Sequence, residues 1–207
     1  MAVSDVRPDL VRRGLLLNYV TIGYNALEAV VSLAAGVIAG SVALVGFGVD
    51  SCIELTSSAA AQWRLRRDHS VGQRERVERQ SHRIIGSAFL LLAAFVLVDG
   101  GRTLLTREAP HPSSVGLAIL AASVVVMPAL ARAKRKVARA MESRALESDA
   151  NQASLCAYLS LIALVGVALN AAFGWWWADP VCALAMVPII VREGWEGVRG
   201  VKHPDCC

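Results

Sequence analysis

The charges of this chain are segregated along its length, and that segregation excludes an ordinary soluble fold. Six stretches of about the 20 residues that a bilayer crossing requires are free or nearly free of Asp, Glu, Lys and Arg. They run over 14–39, 41–63, 82–104, 113–131, 150–173 and 176–195. The apolar fraction of 55% and mean hydropathy of +0.49 agree with this reading, so the 207 residues leave little for a soluble domain. The expectation is an all-α membrane protein of six transmembrane helices, with a leading segment 1–13, a bundle over 14–198 and a tail at 199–207. The sixth stretch is the most polar at its ends, because Asp179 lies near its start and its uncharged core is confined to Pro180–Val191.

The basic residues set the expected orientation. Of the 21 Lys and Arg, all but Arg102 and Arg107 lie before the first stretch, around the second-to-third and fourth-to-fifth connections, or at and beyond the end of the sixth. By the positive-inside rule both termini face the cytoplasm. Trp175, Trp176 and Trp177 then fall at the outer interface and Trp63 and Trp195 at the inner one, the usual place for amphipathic rings. The pI of about 9.0 follows from this arrangement. No nucleic-acid role is needed, since the run Arg64, Arg66, Arg67, Arg74, Arg76 and Arg79 abuts a helix end and serves as a topology signal or headgroup contact. The first stretch is too long and too polar for a cleavable signal and is preceded by Asp5 and Asp9. Cys52, Cys156 and Cys182 fall inside the membrane and Cys206 and Cys207 in the cytoplasm, so no disulfide framework is expected. The excess of Arg over Lys, with abundant Ala and Val, points to a GC-rich bacterial genome, and the expected location is therefore the bacterial cell membrane.

Function is written in the polar residues that interrupt the apolar stretches, because each must find a partner or line a wet cavity. From Gly14 to Trp63 there is no Lys or Arg, and the acidic residues are Glu28, Asp50 and Glu54. An ionised carboxylate at membrane depth is disfavoured by several kcal/mol unless a cation meets it. Asp50 and Glu54, at i and i+4, share a helix face and can converge on one ion. In the first stretch Asn18, Thr21, Asn25, Glu28 and Ser32 form one polar stripe. Interhelical hydrogen bonds worth about 0.6 kcal/mol each account for Asn18, Thr21 and Ser32. They do not account for Glu28, which with Asn25 is a candidate for cation or proton passage. In the fifth stretch Asp149, Gln152, Cys156 and Ser160 share a face, and Asp149 is a further pathway candidate. At 1.5 Å per residue Asp50 and Glu54 lie about 14 and 20 Å from the outer start of their helix, while Gln152 and Cys156 lie roughly 5 and 10 Å in from the other side. The two pairs can therefore approach each other near the midplane, where transporters hold substrate.

With these features in order, the chain resembles the cation diffusion facilitator family of zinc and divalent-metal transporters. The resemblance covers essentially the whole chain. It rests on Gly40-Ser41-Val42-Ala43-Leu44 leading into Asp50-x3-Glu54, on Ser148-Asp149 opening the fifth helix, and on Trp177-Ala178-Asp179-Pro180 opening the sixth. It implies a six-helix bundle and four metal ligands, an Asp-x3-Asp pair on helix 2 and a His-x3-Asp pair on helix 5. Asp50 and Glu54 match the first pair, with Glu in second place. With Asp149 as register, the second pair falls on Gln152 and Cys156, an amide for the imidazole and a thiol for the carboxylate. The formal charge is unchanged if metal deprotonates Cys156. A mixed oxygen and sulfur set suits Zn²⁺, would accept Cd²⁺, Co²⁺ or Fe²⁺, and argues against Mg²⁺ and Ca²⁺.

The resemblance implies secondary active export of a divalent metal from the cytoplasm against protons, with no cofactor beyond the transported ion. The altered ligands leave open a non-transporting metal sensor or accessory subunit on the same helices. An intramembrane enzyme finds no support, as no nucleophile–base constellation or HExxH-type motif is present. Family members usually carry a soluble metal-binding domain after helix 6. Here the short tail implies that a homodimer would rest on transmembrane contacts. His203, Cys206 and Cys207 make at most a weak site in that tail, and His69, His82 and His111 fall in loops or at helix ends. Gly36-x3-Gly40 matches a small-xxx-small contact, but at a helix end it reads as part of a turn.

Overall fold

The computed structural model describes the backbone of residues 6–66, 71–141 and 144–199, and the side chains of 10–60, 62, 83–141 and 146–199. The readings on His69, His203, Cys206 and Cys207, on the side chains of Trp63 and His82, and on the arginine run from Arg64 to Arg79 lie outside these residues. Six helices follow in order, α1 Val6–Ala39, α2 Val42–Arg66, α3 Val71–Thr106, α4 Ser114–Met141, α5 Arg144–Phe173 and α6 Ala178–Arg199, and no strand occurs among the described residues. Each expected stretch lies within one helix apart from one or two leading residues of the second, fourth and sixth. The helices differ from the expectation at the basic end, where α1 and α3 begin earlier, α4 runs on and α5 starts sooner. Ala, Arg, Lys, Glu and Leu dominate these flanks, and such residues continue a helix at little expense once it is nucleated.

Five helices are individually long and apolar enough to cross a membrane, and α6 falls short. Its Asp179 at one end and Arg192, Glu193 and Glu196 at the other dilute a 22-residue helix, so it relies on packing against its neighbours. The lipid-facing shell is aliphatic: Leu16, Val30, Ile38, Leu91, Val98, Leu105 and Val125 are all exposed on the bundle, as a hydrocarbon solvent favours. The central element is α2, which packs against α1, α3, α5 and α6. Its span is 67% buried, against 28–39% for the other four, and this places Asp50 and Glu54 at the middle of the molecule.

The α1–α2 corner is tightly specified. Gly40 takes φ of 65°, a conformation that a Cβ penalises. The Gly40 and Ser41 amides then donate to the Val37 and Gly36 carbonyls at 3.4 and 3.0 Å, the paired bonds of a Schellman cap. Gly36 lies against Val45 of α2, so both glycines serve the intramolecular corner. Ser41 caps α2 by accepting from the Leu44 amide at 3.1 Å, and its hydroxyl donates to Asp179 Oδ1 at 2.5 Å. Asp179 Oδ2 also accepts from the Ala43 amide at 3.4 Å. A carboxylate from α6 thereby completes the cap of α2, joining two motifs 138 residues apart. Asp179→Ala is expected to lower stability by about 1–3 kcal/mol, the cost of leaving buried donors unmet, with Asp179→Asn recovering part of it. Thermal unfolding in detergent micelles measures this, and unchanged stability of the alanine variant would dismiss the cap.

Candidate metal-binding site

The stripe on α1 is wholly internal: Asn18, Thr21, Asn25, Glu28 and Ser32 are each 0% exposed. The interhelical bonds expected of Asn18, Thr21 and Ser32 are not found among the described residues. Thr21 bonds back to the Leu17 carbonyl of its own helix at 2.9 Å, and Asn18 and Ser32 have no hydrogen-bond partner among the described residues. The Thr21 hydroxyl satisfies itself on the preceding turn, and the rest of the seam faces the bundle interior.

Opposite that seam, Asp50 and Glu54 of α2 are 2% exposed and Cys156 of α5 is 1% exposed. Ser51 Oγ donates to Glu28 Oε2 at 2.8 Å, and the Cys156 thiol lies 3.8 Å from the same oxygen. Cys156 also interacts with the carboxyl groups of Asp50 and Glu54, and Asn25 stands beside Glu54. Thus α1, α2 and α5 bring three carboxyl groups and one thiol to a common interior. Gln152, one turn before Cys156, is half-buried. The oxygens Glu28 Oε1, Asp50 Oδ2, both of Glu54 and Gln152 Oε1 have no hydrogen-bond partner among the described residues, and neither has the amide of Asn25. Buried polar atoms are otherwise almost always paired, so this concentration marks a place built to receive something polar. No three His, Cys, Asp or Glu among the described residues already converge at ion-holding distance; side-chain rotation would have to draw the set closed around a cation.

Asp149 has a different environment. Its Oδ2 is 2.6 Å from Lys134 Nζ of α4, and its Oδ1 accepts from Ser58 of α2 at 2.7 Å. Lys134 is the residue that sequence reasoning missed, having been assigned with its neighbours to a basic flank. The signal was present: Leu120, Ser123, Met127, Leu130 and Ala131 recur at helical spacing and are buried, and Lys134 continues that face at 0% exposure. Tyr24 OH and Ser123 Oγ, 3.0 Å apart, tie α1 to α4 on the same side.

The sequence that builds this bundle matches a known domain. Residues 19–200 fit the cation efflux transmembrane domain. The chain belongs to the cation efflux family. Its cation efflux domain is 28% identical over 124 residues to the cation-efflux pump FieF of Shewanella oneidensis, which is 59% of this chain and 40% of the pump. It is 26% identical over 198 residues to the transporter YdbO of Bacillus subtilis, covering 92% and 67% of the two chains. The manganese efflux system protein MneS of Bacillus subtilis is 22% identical over 204 residues, covering 95% and 70%. The chain therefore spans 40% of the length of the Shewanella pump and 67–70% of the two Bacillus proteins.

Proposed function

We propose that this cation efflux domain exports a divalent transition-metal ion, Zn²⁺ foremost, from a cytoplasm that both termini face, in exchange for protons. The observation that carries the reading is the interior set of Glu28, Asp50, Glu54 and Cys156, in which Glu28 Oε1, Asp50 Oδ2 and both oxygens of Glu54 are buried without a hydrogen-bond partner among the described residues. A doubly charged cation is the species that such a set stabilises and that lipid and water do not supply. Asp50, Glu54, Gln152 and Cys156 act as the ligands, and Glu28, hydrogen-bonded through Ser51 and set against the thiol, supplies a third carboxylate from α1. Metal ligands bind in their deprotonated forms, so capture of the ion releases protons and refilling from the far side returns them. Rocking of helices around a fixed midplane site gives each side access in turn.

Manganese is the cargo named for one relative, and an oxygen-rich set would hold it. The thiol of Cys156 decides for a softer ion. Replacing Cys156 by serine is expected to weaken zinc and cadmium transport about tenfold relative to manganese, read from competition between the metals for uptake. A serine variant with wild-type selectivity would remove the thiol from the ligand set. The proposal as a whole is tested in proteoliposomes carrying an internal zinc indicator. Saturable zinc flux that follows an imposed pH gradient is the expected result, and flux no greater than in empty liposomes contradicts it.

A further inference from the structure

Lys134 is the only fully buried Lys or Arg among the described residues, in a bundle where a cation has every reason to be absent. Its pairing does not explain its presence, because a buried ion pair is often no more stable than apolar residues of the same volume. Position does. Ser58 lies one turn beyond Glu54 on α2, and Asp149 lies one turn before Gln152 on α5, so the Lys134–Asp149–Ser58 layer sits about 5–6 Å from the Glu54–Gln152 layer, toward the end at which α1 begins and α6 finishes. At that level the ammonium is ion-paired with Asp149 Oδ2 at 2.6 Å and donates to Ser58 Oγ at 3.5 Å, while Ser58 itself donates to Asp149 Oδ1. One side chain thus holds α4 to α5 and α2 one turn from the cage. The same ammonium acts electrostatically on Glu54 inside the cage.

We propose that Lys134 is a tethered counter-cation that latches this mouth of the cage, holding Asp149 and Ser58 until an arriving divalent cation displaces it. The inference rests on the proposed metal site. An ion approaching from the end at which α1 begins meets Asp149 before Glu54, and its two charges compete for that carboxylate against one. The flexible four-carbon stem of Lys134 lets the ammonium withdraw without moving the helix. Lys134 is a positioning residue: it opposes cargo electrostatically and clips three helices, and it touches no cargo itself.

The test is equilibrium binding of Zn²⁺ to the full chain in lipid nanodiscs. Lys134→Met removes a repelling charge and is expected to tighten zinc binding on the order of tenfold. Asp149→Asn frees the ammonium to turn on Glu54 and is expected to weaken binding by a similar factor. Opposite signs are the signature, since loss of a merely structural pair would weaken both. Should a single variant fail to fold, Lys134→Met combined with Asp149→Asn leaves no lone buried charge. It is expected to bind zinc within about threefold of wild type and to release it faster. Singles that shift binding in the same direction or leave it unchanged, or a double variant with wild-type release, overturn the latch while leaving the cage intact, provided that the wild type binds zinc and Asp50→Asn does not. A wild-type chain that binds no zinc overturns both.

Discussion

Replacing Asp50 by asparagine is expected to abolish metal transport while making the metal-free protein more stable. The two effects have one cause. Asp50 is 2% exposed, its Oδ2 has no hydrogen-bond partner among the described residues, and it shares its interior with Glu54, Glu28 and the Cys156 thiol. Without cargo it is an unsatisfied carboxyl group beside others of its kind, so a neutral amide of the same shape relieves both burial and repulsion. The gain is expected at about 1–2 kcal/mol, a rise of roughly 2–8 °C in the melting temperature of a chain of this size. With cargo, the same change removes one negative charge from the cation and costs about 3–5 kcal/mol, a loss of at least 100-fold in transport. A scaffold residue would lower both quantities together. Flux in proteoliposomes and thermal unfolding of the same preparation read the pair, and a variant that loses transport and stability alike would count against a cargo site.

A second large effect is expected far from the site. At Gly86 of α3 an added Cβ would lie 2.6 Å from the Val198 amide nitrogen, 2.7 Å from the Gly194 carbonyl oxygen and 2.8 Å from the Gly197 carbonyl carbon of α6. All three are backbone atoms, so no side chain can yield. Close backbone approach is how membrane helices gain packing energy when lipid removes the hydrophobic drive. It also secures α6, the helix least able to hold the membrane alone. Gly86→Leu is expected to cost about 3 kcal/mol or more and to lower the melting temperature by at least 6 °C. Gly101, where an added Cβ meets nothing within 4 Å, is the control: alanine there should be neutral or stabilising by up to about 1 kcal/mol. A leucine at position 86 that melts with the wild type would mean that α3 and α6 are not in contact as described.

Helix number, order and most boundaries were legible because transmembrane patterning is a strong constraint: every backbone polar group in lipid must be satisfied within its own helix, so length and apolarity nearly suffice. The internal stripe on α1 and the internal faces of Asp50 with Glu54 and of Asp149 with Cys156 and Ser160 were legible from helical spacing for the same reason. What was not legible lay between helices. That Glu28 comes within 3.8 Å of the Cys156 thiol depends on how α1 leans on α5, and spacing within one helix carries no such information. The capping of α2 by Asp179 was equally hidden, although both halves of it had been singled out as motifs. Lys134 was obscured by its company, since Arg132, Arg135, Lys136 and Arg139 surround it in sequence and the positive-inside rule counts charges without asking which face they occupy. No hydrogen-bond partner is found for Asn18 and Ser32 among the described residues, since spacing within one helix shows which residues face inward and not what they meet there.

The central claim, that Asp50, Glu54 and Cys156 hold the transported ion together, is most directly measured by X-ray absorption at the zinc edge. The sample is the chain with Cys206 and Cys207 changed to serine and one equivalent of zinc bound. The account predicts one sulfur at about 2.3 Å with the remaining neighbours oxygen or nitrogen at about 2.0–2.2 Å, the sulfur lost in Cys156→Ser and the bound zinc lost in Asp50→Asn. A zinc shell without sulfur, or one that survives Asp50→Asn unchanged, would contradict it.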